Sequence, residues 1–218
     1  MARAIHRRRP APTKKERPML YFVYCRDKPG ATALRRQTTE THWAFMDRYA
    51  PAMVARGPTL AEDGTTQTGS MHILDLPDAE AARVFAYDEP FYQAGVFAEV
   101  MIRRWRNALD RTMWDFHGDP DHNRRFLIIG HGKPGSSATR DSLLAAHRRY
   151  FIDHHYQERF IARGPLLSDD GADWVGSAML IELPSREAVE AMLADEPYVR
   201  NGLYDSIEIH DWRFGGRH

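Results

Sequence analysis

Two short apolar runs, each followed by a turn and a helical pattern, organise this chain. The first run, residues 19–25, reads Met-Leu-Tyr-Phe-Val-Tyr-Cys, and the second, residues 126–130, reads Phe-Leu-Ile-Ile-Gly. Aromatic and β-branched residues without a polar face are typical of buried strands. After a Lys-Pro-Gly turn, apolar residues recur every three or four positions, from Leu34 to Met53 and from Leu143 to Ile161. This spacing predicts one long amphipathic helix after each strand.

The whole pattern occurs twice along the chain. Lys28-Pro29-Gly30, Arg35 and His42 return 105 residues later as Lys133-Pro134-Gly135, Arg140 and His147. A later block contains an Arg-Gly-Pro, a Gly-Ser, an Asp-Glu-Pro and a tryptophan, and it returns at an offset of 107. We therefore expect one structural unit used twice, and any chemistry common to both units should lie in residues that both retain.

Each unit predicts the element order βαββαβ, which is that of a ferredoxin-like fold with helices on one face of an antiparallel sheet. The fold class is thus α+β. The uncovered sheet face of one repeat needs a partner, and the other repeat is the economical one, since two such sheets can pack face to face. We predict a basic, disordered tail at 1–18, a first domain at 19–106, a linker at 107–124 and a second domain at 125–214.

Composition and charge narrow the class of protein. Of 30 basic residues, seven lie in residues 1–18, so the tail carries a net charge of +6 and the remainder −6. An acidic body is a poor partner for a phosphate backbone, so we expect no nucleic-acid binding.

No apolar run has the length of a membrane helix, and the single cysteine, Cys25, fits a reducing compartment. We expect a cytoplasmic protein without membrane contact. Because Cys25 corresponds to Gly130 in the second repeat, a packed thiol is favoured over a nucleophile.

The repeated polar residues are the candidates for chemistry. Arg35 and His42 lie seven positions apart, which puts both on nearly the same helix face, and Arg140 and His147 repeat this spacing. A histidine on an apolar stripe is more often a satisfied core residue, but both repeats also keep a later aspartate, Asp88 or Asp195. We predict that each aspartate orients its histidine as an acid or base. The competing interpretation, that Asp-Glu-Pro merely starts a helix with aspartate as its N-cap, has about equal weight.

Weaker candidates follow from turns and from the linker. Ser70 and Ser177 could donate to a substrate oxygen, although serine after glycine is usually turn chemistry. The linker contains His117, Asp119, Asp121 and His122, but their spacing matches no defined metal site. No glycine-rich dinucleotide or phosphate motif occurs, so we expect neither metal nor cofactor.

Taken together, both halves resemble the YCII family. The shared features are the strand with its Lys-Pro-Gly turn, Arg-x6-His on the first helix, Gly-Pro after it, Gly-Ser before a strand and Asp-x-Pro before the last strand. Phe91 departs from the family's tyrosine, which Tyr198 keeps. The resemblance implies a dimeric α/β barrel, formed here within one chain, with a histidine and aspartate site at His42 with Asp88 and His147 with Asp195. Known activity in the family includes elimination of hydrogen chloride from a chlorinated hydroxyquinone, and similar barrels include cofactor-free isomerases and monooxygenases.

The leading functional hypothesis is therefore a cofactor-independent lyase or isomerase of a small anionic metabolite, such as an aromatic or a lactone. In it, the histidines transfer protons, and Arg35 and Arg140 attract an anionic or enolate oxygen. The alternative is a non-catalytic module that holds a small ligand or a pathway partner. Pairing of the repeats within one chain leaves open a further homodimer.

Overall fold

A computed structural model describes residues 19–216 of the chain. The basic tail predicted at residues 1–18 lies outside these described residues. Within them, no helix is both long and apolar enough to cross a membrane.

The two repeats have the same succession of elements. The first consists of β1 (Leu20–Asp27), α1 (Thr32–Tyr49), β2 (Met53–Leu60), β3 (Gln67–Asp75), α2 (Ala79–Tyr87), α3 (Pro90–Gln93) and β4 (Phe97–Trp105). The second consists of β5 (Arg124–Gly132), α4 (Ser137–Asp153), β6 (Phe160–Leu167), β7 (Trp174–Leu183), α5 (Arg186–Ala194), α6 (Pro197–Arg200) and β8 (Tyr204–Trp212). Each repeat is the predicted βαββαβ unit, with a short helix, α3 or α6, before its last strand.

The eight strands close into one antiparallel barrel in the order β1-β3-β2-β8-β5-β7-β6-β4. Two seams join the repeats. At one, Thr59 and Leu60 of β2 pair with Trp212 and Asp211 of β8. At the other, β4 pairs with β6 through Arg104–Leu167 and Trp105–Leu166. The α+β class and the intramolecular dimeric barrel are confirmed, and the two sheets are joined by hydrogen bonds at both edges, which leaves neither sheet with an open edge.

Strand periodicity explains why the first apolar run has no polar face. Phe22 and Tyr24 of β1 point into the barrel interior, whereas Tyr21, Val23 and Cys25 point outward under the helices. Since successive side chains of a strand face opposite sides, a strand between two apolar layers is apolar throughout. Cys25 is 2% exposed, which confirms the packed thiol, and burial raises the pKa of this thiol far above its usual range.

The first helix of each repeat ends earlier than its apolar stripe predicts. Met53 begins β2 and Ile161 lies in β6, so neither belongs to the helix. In the first repeat Pro51 follows the end of α1 in a short 3-10 turn, Ala50–Ala52, because proline lacks the N–H that a continuing helix needs. The repeated Arg-Gly-Pro consequently lies inside β2 and β6 rather than at a helix end. Because the motif lies in a strand, its arginine is placed beside the candidate active site.

Candidate active site

Each repeat places its histidine against a buried glutamate. His147 of α4 donates from Nδ1 to Oε1 of Glu196 at 2.6 Å, and His42 of α1 makes the equivalent contact with Oε1 of Glu89. Glu89 and Glu196 are 2% and 1% exposed. A carboxylate only accepts hydrogen bonds, so in the neutral form of each imidazole Nδ1 carries the proton and Nε2 the lone pair.

The prediction that Asp88 and Asp195 orient the histidines is corrected by this geometry. Both aspartates are exposed residues at the C-terminal ends of α2 and α5, and the partner is in each case the following glutamate. The backbone at Glu89 is extended, with φ −64° and ψ 130°, and the chain changes direction there between two helices. The buried carboxylate is therefore the second one of Asp-Glu-Pro, and the helix-capping role expected of the aspartate also belongs to the glutamate.

The short helices α3 and α6 hold these glutamates by capping. The second oxygen of Glu196 accepts from the backbone N–H groups of Tyr198 and Val199 at 3.0 and 3.2 Å, and that of Glu89 accepts from Tyr92 at 3.1 Å. Proline in the first turn supplies the fixed φ that starts each helix. One oxygen is thus used by the backbone and the other by the imidazole, so the carboxylate cannot turn away.

The same short helices also supply an aromatic wall. The Tyr198 ring stacks on the His147 ring with 4.0 Å between centroids and 5° between planes, and Phe91 stacks on His42 at 4.1 Å and 14°. With the glutamate on Nδ1 and an aromatic ring on one face, the orientation of each imidazole is determined. The family tyrosine and its replacement Phe91 occupy the same place.

Each histidine lines a cavity, of about 250 Å³ at His42 and about 240 Å³ at His147. The arginine of the repeated Arg-Gly-Pro lies in the cavity wall, as Arg56 in the first and Arg163 in the second. A further arginine comes from the opposite repeat, since Arg213 follows β8 and lines the first cavity, whereas Arg106 follows β4 and lines the second. Neither cavity is complete without the other half of the barrel.

Backbone hydrogen bonds fix these crossing segments. Ala108 N–H donates to the Arg163 carbonyl at 2.9 Å, and Gly215 N–H donates to the Arg56 carbonyl at 3.0 Å. A Cβ on Gly164 would overlap the carbonyl oxygen of Arg106, and one on Gly57 would overlap that of Arg213. The glycine of the Arg-Gly-Pro thus allows the opposite repeat to pass directly over the cavity mouth.

Arg35 and Arg140, which the sequence places in equivalent positions, differ in their partners. Arg35 donates from Nε and Nη2 to the two oxygens of Asp27 at 2.6 and 2.8 Å, and from Nη2 to Ser70 Oγ at 2.8 Å. The second repeat has Gly132 at the Asp27 position, and Arg140 contacts the exposed Asp141 at 2.8 Å. Both arginines line their cavities, but the Arg35 charge is already neutralised.

The two serines also lie in the cavity walls and not in turns. Ser70 is in β3 and accepts from Arg35, whereas Ser177 in β7 lies 3.1 Å from the Tyr204 hydroxyl. His72 lies two residues after Ser70 in β3 and lines the first cavity beside His42. The centroids of the His42 and His72 rings are 6.3 Å apart. Its counterpart in the second repeat is Met179.

Burial sets the protonation states around the histidines. Desolvation lowers the pKa of His147, an effect that the Glu196 hydrogen bond opposes, and it lowers the pKa of His72 well below the usual value. Burial also raises the pKa of Tyr198 to about 12 and lowers that of Arg163 to about 10. At neutral pH His147 is therefore a neutral base beside a charged arginine and a protonated phenol.

This arrangement suits proton transfer next to a developing negative charge. The free Nε2 can take a proton, the glutamate on Nδ1 stabilises the resulting imidazolium, and the guanidinium groups stabilise an oxyanion. Among residues 19–216, no group of three or more histidine, cysteine, aspartate or glutamate side chains is placed to hold a metal ion.

Sequence reasoning missed the glutamates, Arg56 with Arg163, and the crossing arginines. A signal existed for all of them, because Asp-Glu-Pro, Arg-Gly-Pro and Trp-Arg each occur in both repeats at the offset of 107. Hydrophobic periodicity alone assigns these glutamates and arginines to helix caps, turns and strand ends, where no chemical role is expected.

Comparison with known proteins identifies the unit. The model of the YCII-related domain matches residues 19–106 and again residues 124–213. Protein YciI of Escherichia coli is 27% identical over 93 residues, which are 40% of this chain and 95% of that protein. The relative therefore corresponds in length to a single repeat.

A solved structure of low sequence identity shows the same fold. A chlorite dismutase variant from Candidatus Nitrospira defluvii superposes with a TM-score of 0.59 at 9% identity and covers 90% of this chain and 92% of its own. The 5-chloro-2-hydroxyhydroquinone dehydrochlorinase of Burkholderia phenoliruptrix, in complex with 2,5-dihydroxybenzoquinone, is 27% identical, covers 43% of this chain and 99% of its own, and has a TM-score of 0.39. With both repeats matched by the family model, the chain belongs to the YCII family and carries two of its domains in tandem.

Proposed function

We propose that the protein is a cofactor-independent lyase or isomerase that removes a proton from a small, anionic or enolisable substrate. The observation that supports this proposal is the hydrogen bond from Nδ1 of each histidine to a buried glutamate, which occurs in both repeats. A histidine that only filled space would not need a buried carboxylate on one nitrogen and a cavity beside the ring.

In the proposed reaction, Nε2 of His42 or His147 accepts a proton from a carbon next to a carbonyl group. The electron pair of the broken C–H bond enters the carbonyl system, and the oxygen becomes an enolate. In an isomerase the imidazolium returns the proton to another carbon. In a lyase the enolate re-forms the carbonyl and expels a leaving group from the neighbouring carbon with its bonding pair, and the imidazolium gives its proton to that group or to water. Neither route needs an oxidant or a reductant.

In this proposal the arginines of the cavities have different roles, and only some of them stabilise the negative charge of the enolate. Arg56 and Arg163 lie in the walls of the two cavities, and Arg213 and Arg106 close them from the opposite repeat. In each cavity, two of these four arginines are the proposed contacts for an enolate oxygen, and this pair is common to both cavities. Arg35, which already pairs with Asp27, serves in the first cavity mainly to hold Ser70 and the Phe91 ring, whose centroid lies 4.5 Å from its guanidinium carbon. Ser70 and Ser177 remain proposed donors to a ligand oxygen.

Hydrogen exchange tests this proposal before the natural substrate is known. The protein is incubated in D2O with hydroxyquinones, unsaturated lactones and 3-oxo acids, and loss of substrate C–H signals is followed by proton NMR. We expect exchange or turnover that falls in His42→Gln or His147→Gln and disappears in the double variant. Binding without exchange would instead support a ligand-binding module, and exchange that the double variant retains would exclude the two histidines as the bases.

A further inference from the structure

The second cavity contains buried hydrogen-bond donors that have no partner among residues 19–216. Arg163 is 7% exposed, and its Nε and Nη1 atoms are buried without a hydrogen bond to any of these described residues. The Nε atom of Arg140 and the hydroxyl of Tyr198 are likewise buried and unpartnered. All three residues line the cavity beside His147. Burying a guanidinium without an ion-pair partner costs free energy, so the cavity has a positive charge that no buried acid compensates.

The first cavity also has buried side-chain atoms without a partner among the described residues, Arg56 Nε and His72 Nδ1, but it differs from the second at the positions that set its charge. Where the first repeat has Asp27 against Arg35, the second has Gly132, so Arg140 lacks a buried acid. Where the first cavity has the neutral Trp43, the second has Arg148. Phe91 is replaced by Tyr198, which adds a hydroxyl donor to the wall.

The acids near the second cavity do not cancel this charge. Glu196 is committed to His147 and to two backbone N–H groups. Asp141 contacts Arg140, but its side chain is 69% exposed and keeps most of its hydration. An exposed pair of this kind contributes little, and a ligand carboxylate can replace it. Within the part of the chain that the structure describes, the cavity wall contains no acidic side chain and four arginines, Arg106, Arg140, Arg148 and Arg163.

We propose that the second cavity binds a small dianion, such as a dicarboxylate or a carboxylate that also bears an enolate or phenolate, whereas the first accepts monoanionic or neutral ligands. One negative group pairs with Arg163 and Tyr198 deep in the cavity, and the other with Arg140 and Arg148 nearer its mouth. The inference rests on the proposed function only in placing the ligand beside the imidazole. The two histidines of one chain then serve ligands of different charge.

Two probes of similar shape and different charge test this assignment. Phthalate carries two negative charges at pH 7.5 and benzoate one. Each is titrated into the full chain, and the imidazole resonances of His42 and His147 are followed separately by NMR. At His147 we expect phthalate to bind at least about tenfold more tightly than benzoate, with a preference that weakens as salt is added. At His42 we expect no such preference.

Matched variants assign the preference to the arginines. Arg163→Met should abolish it, and Arg56→Met, the same change in the first cavity, should leave the His147 titration unaltered. Arg148→Trp places the first repeat's residue at an exposed position and should reduce the preference several-fold even if Arg163→Met folds poorly. Equal phthalate preference at both histidines, no phthalate binding at His147, or a preference that survives Arg163→Met and Arg148→Trp would overturn the proposal. Neither probe is turned over, so the result is independent of whether the exchange experiment succeeds.

Discussion

Glu196 Oε1 accepts a hydrogen bond from Nδ1 of His147 at 2.6 Å while its other oxygen caps a four-residue helix, and the same relationship joins Glu89 to His42. The glutamate therefore acts through the histidine and does not face the cavity itself. Such a carboxylate holds the tautomer and stabilises the imidazolium that forms when Nε2 accepts a proton. It is a positioning residue, and the aspartate before it provides a natural control.

We expect replacement of both glutamates, Glu89→Gln with Glu196→Gln, to reduce kcat about 100-fold or more while ligand binding changes little. The amide keeps the size of the side chain but cannot stabilise an imidazolium. Since the Glu196 hydrogen bond raises the pKa of His147 against desolvation, Glu196→Gln should also lower that pKa further, which an NMR titration measures.

The control is the double variant Asp88→Asn with Asp195→Asn, which changes two exposed carboxylates one residue away. It should retain wild-type kcat and an unchanged His147 titration. If the aspartate variants lost activity and the glutamate variants did not, the assignment of the orienting residue would be reversed.

The stability of the fold should decrease as the pH falls below about 6.5, because His72 and His147 have lowered pKa values in the folded protein. The unfolded chain then binds more protons than the folded chain, so this stability is present above the unfolded pKa and is lost on acidification. Each group contributes a slope of at most about 1.4 kcal/mol per pH unit. Urea unfolding at pH 7.5 and 5.5 measures the combined effect.

His72→Met, which introduces the residue that the second repeat has at this position, isolates one of the two contributions. The free energy of unfolding of this variant should depend less steeply on pH between 7.5 and 5.5. The interval avoids Glu208, whose lowered pKa affects stability only at more acidic pH. An unchanged slope would show that His72 is not the neutral buried group described above.

Much of the fold could be predicted from local pattern, because strand and helix periodicity are local properties. The run from Tyr21 to Cys25 indicates a strand buried on both faces, and the repeat predicts its partner. The orienting carboxylate could not be chosen this way, since Asp88 and Glu89 are adjacent and equally repeated, and only the extended backbone at Glu89 distinguishes them. The role of Arg106 and Arg213 depends on how the two seams close, which no local spacing encodes.

Gly164→Ala should weaken the seam between the repeats and distort the second cavity. The added methyl group would overlap the carbonyl oxygen of Arg106, which is backbone and cannot rotate away. We expect a loss of about 2–3 kcal/mol in unfolding free energy together with weaker phthalate binding at His147. Gly64→Ala is the control, because Gly64 has φ +69° but open space around it, and it should cost about 1–2 kcal/mol without changing either cavity. Unaltered phthalate binding in Gly164→Ala would contradict the described closure of the cavity.

Arg35→Met and Arg140→Met should differ in their consequences although the two arginines occupy equivalent positions. Removing Arg35 leaves the carboxylate of Asp27, whose side chain is 6% exposed, without its bidentate partner. A buried charge left in this way costs about 3–5 kcal/mol, so Arg35→Met should be strongly destabilised in urea unfolding. Adding Asp27→Asn should restore part of that loss, because the neutral amide no longer needs the guanidinium. Among the described residues Arg140 forms an ion pair only with the exposed Asp141, so Arg140→Met should unfold within about 1 kcal/mol of wild type and instead bind phthalate more weakly. Equal destabilisation by the two substitutions would mean that Asp27 does not distinguish the two sites.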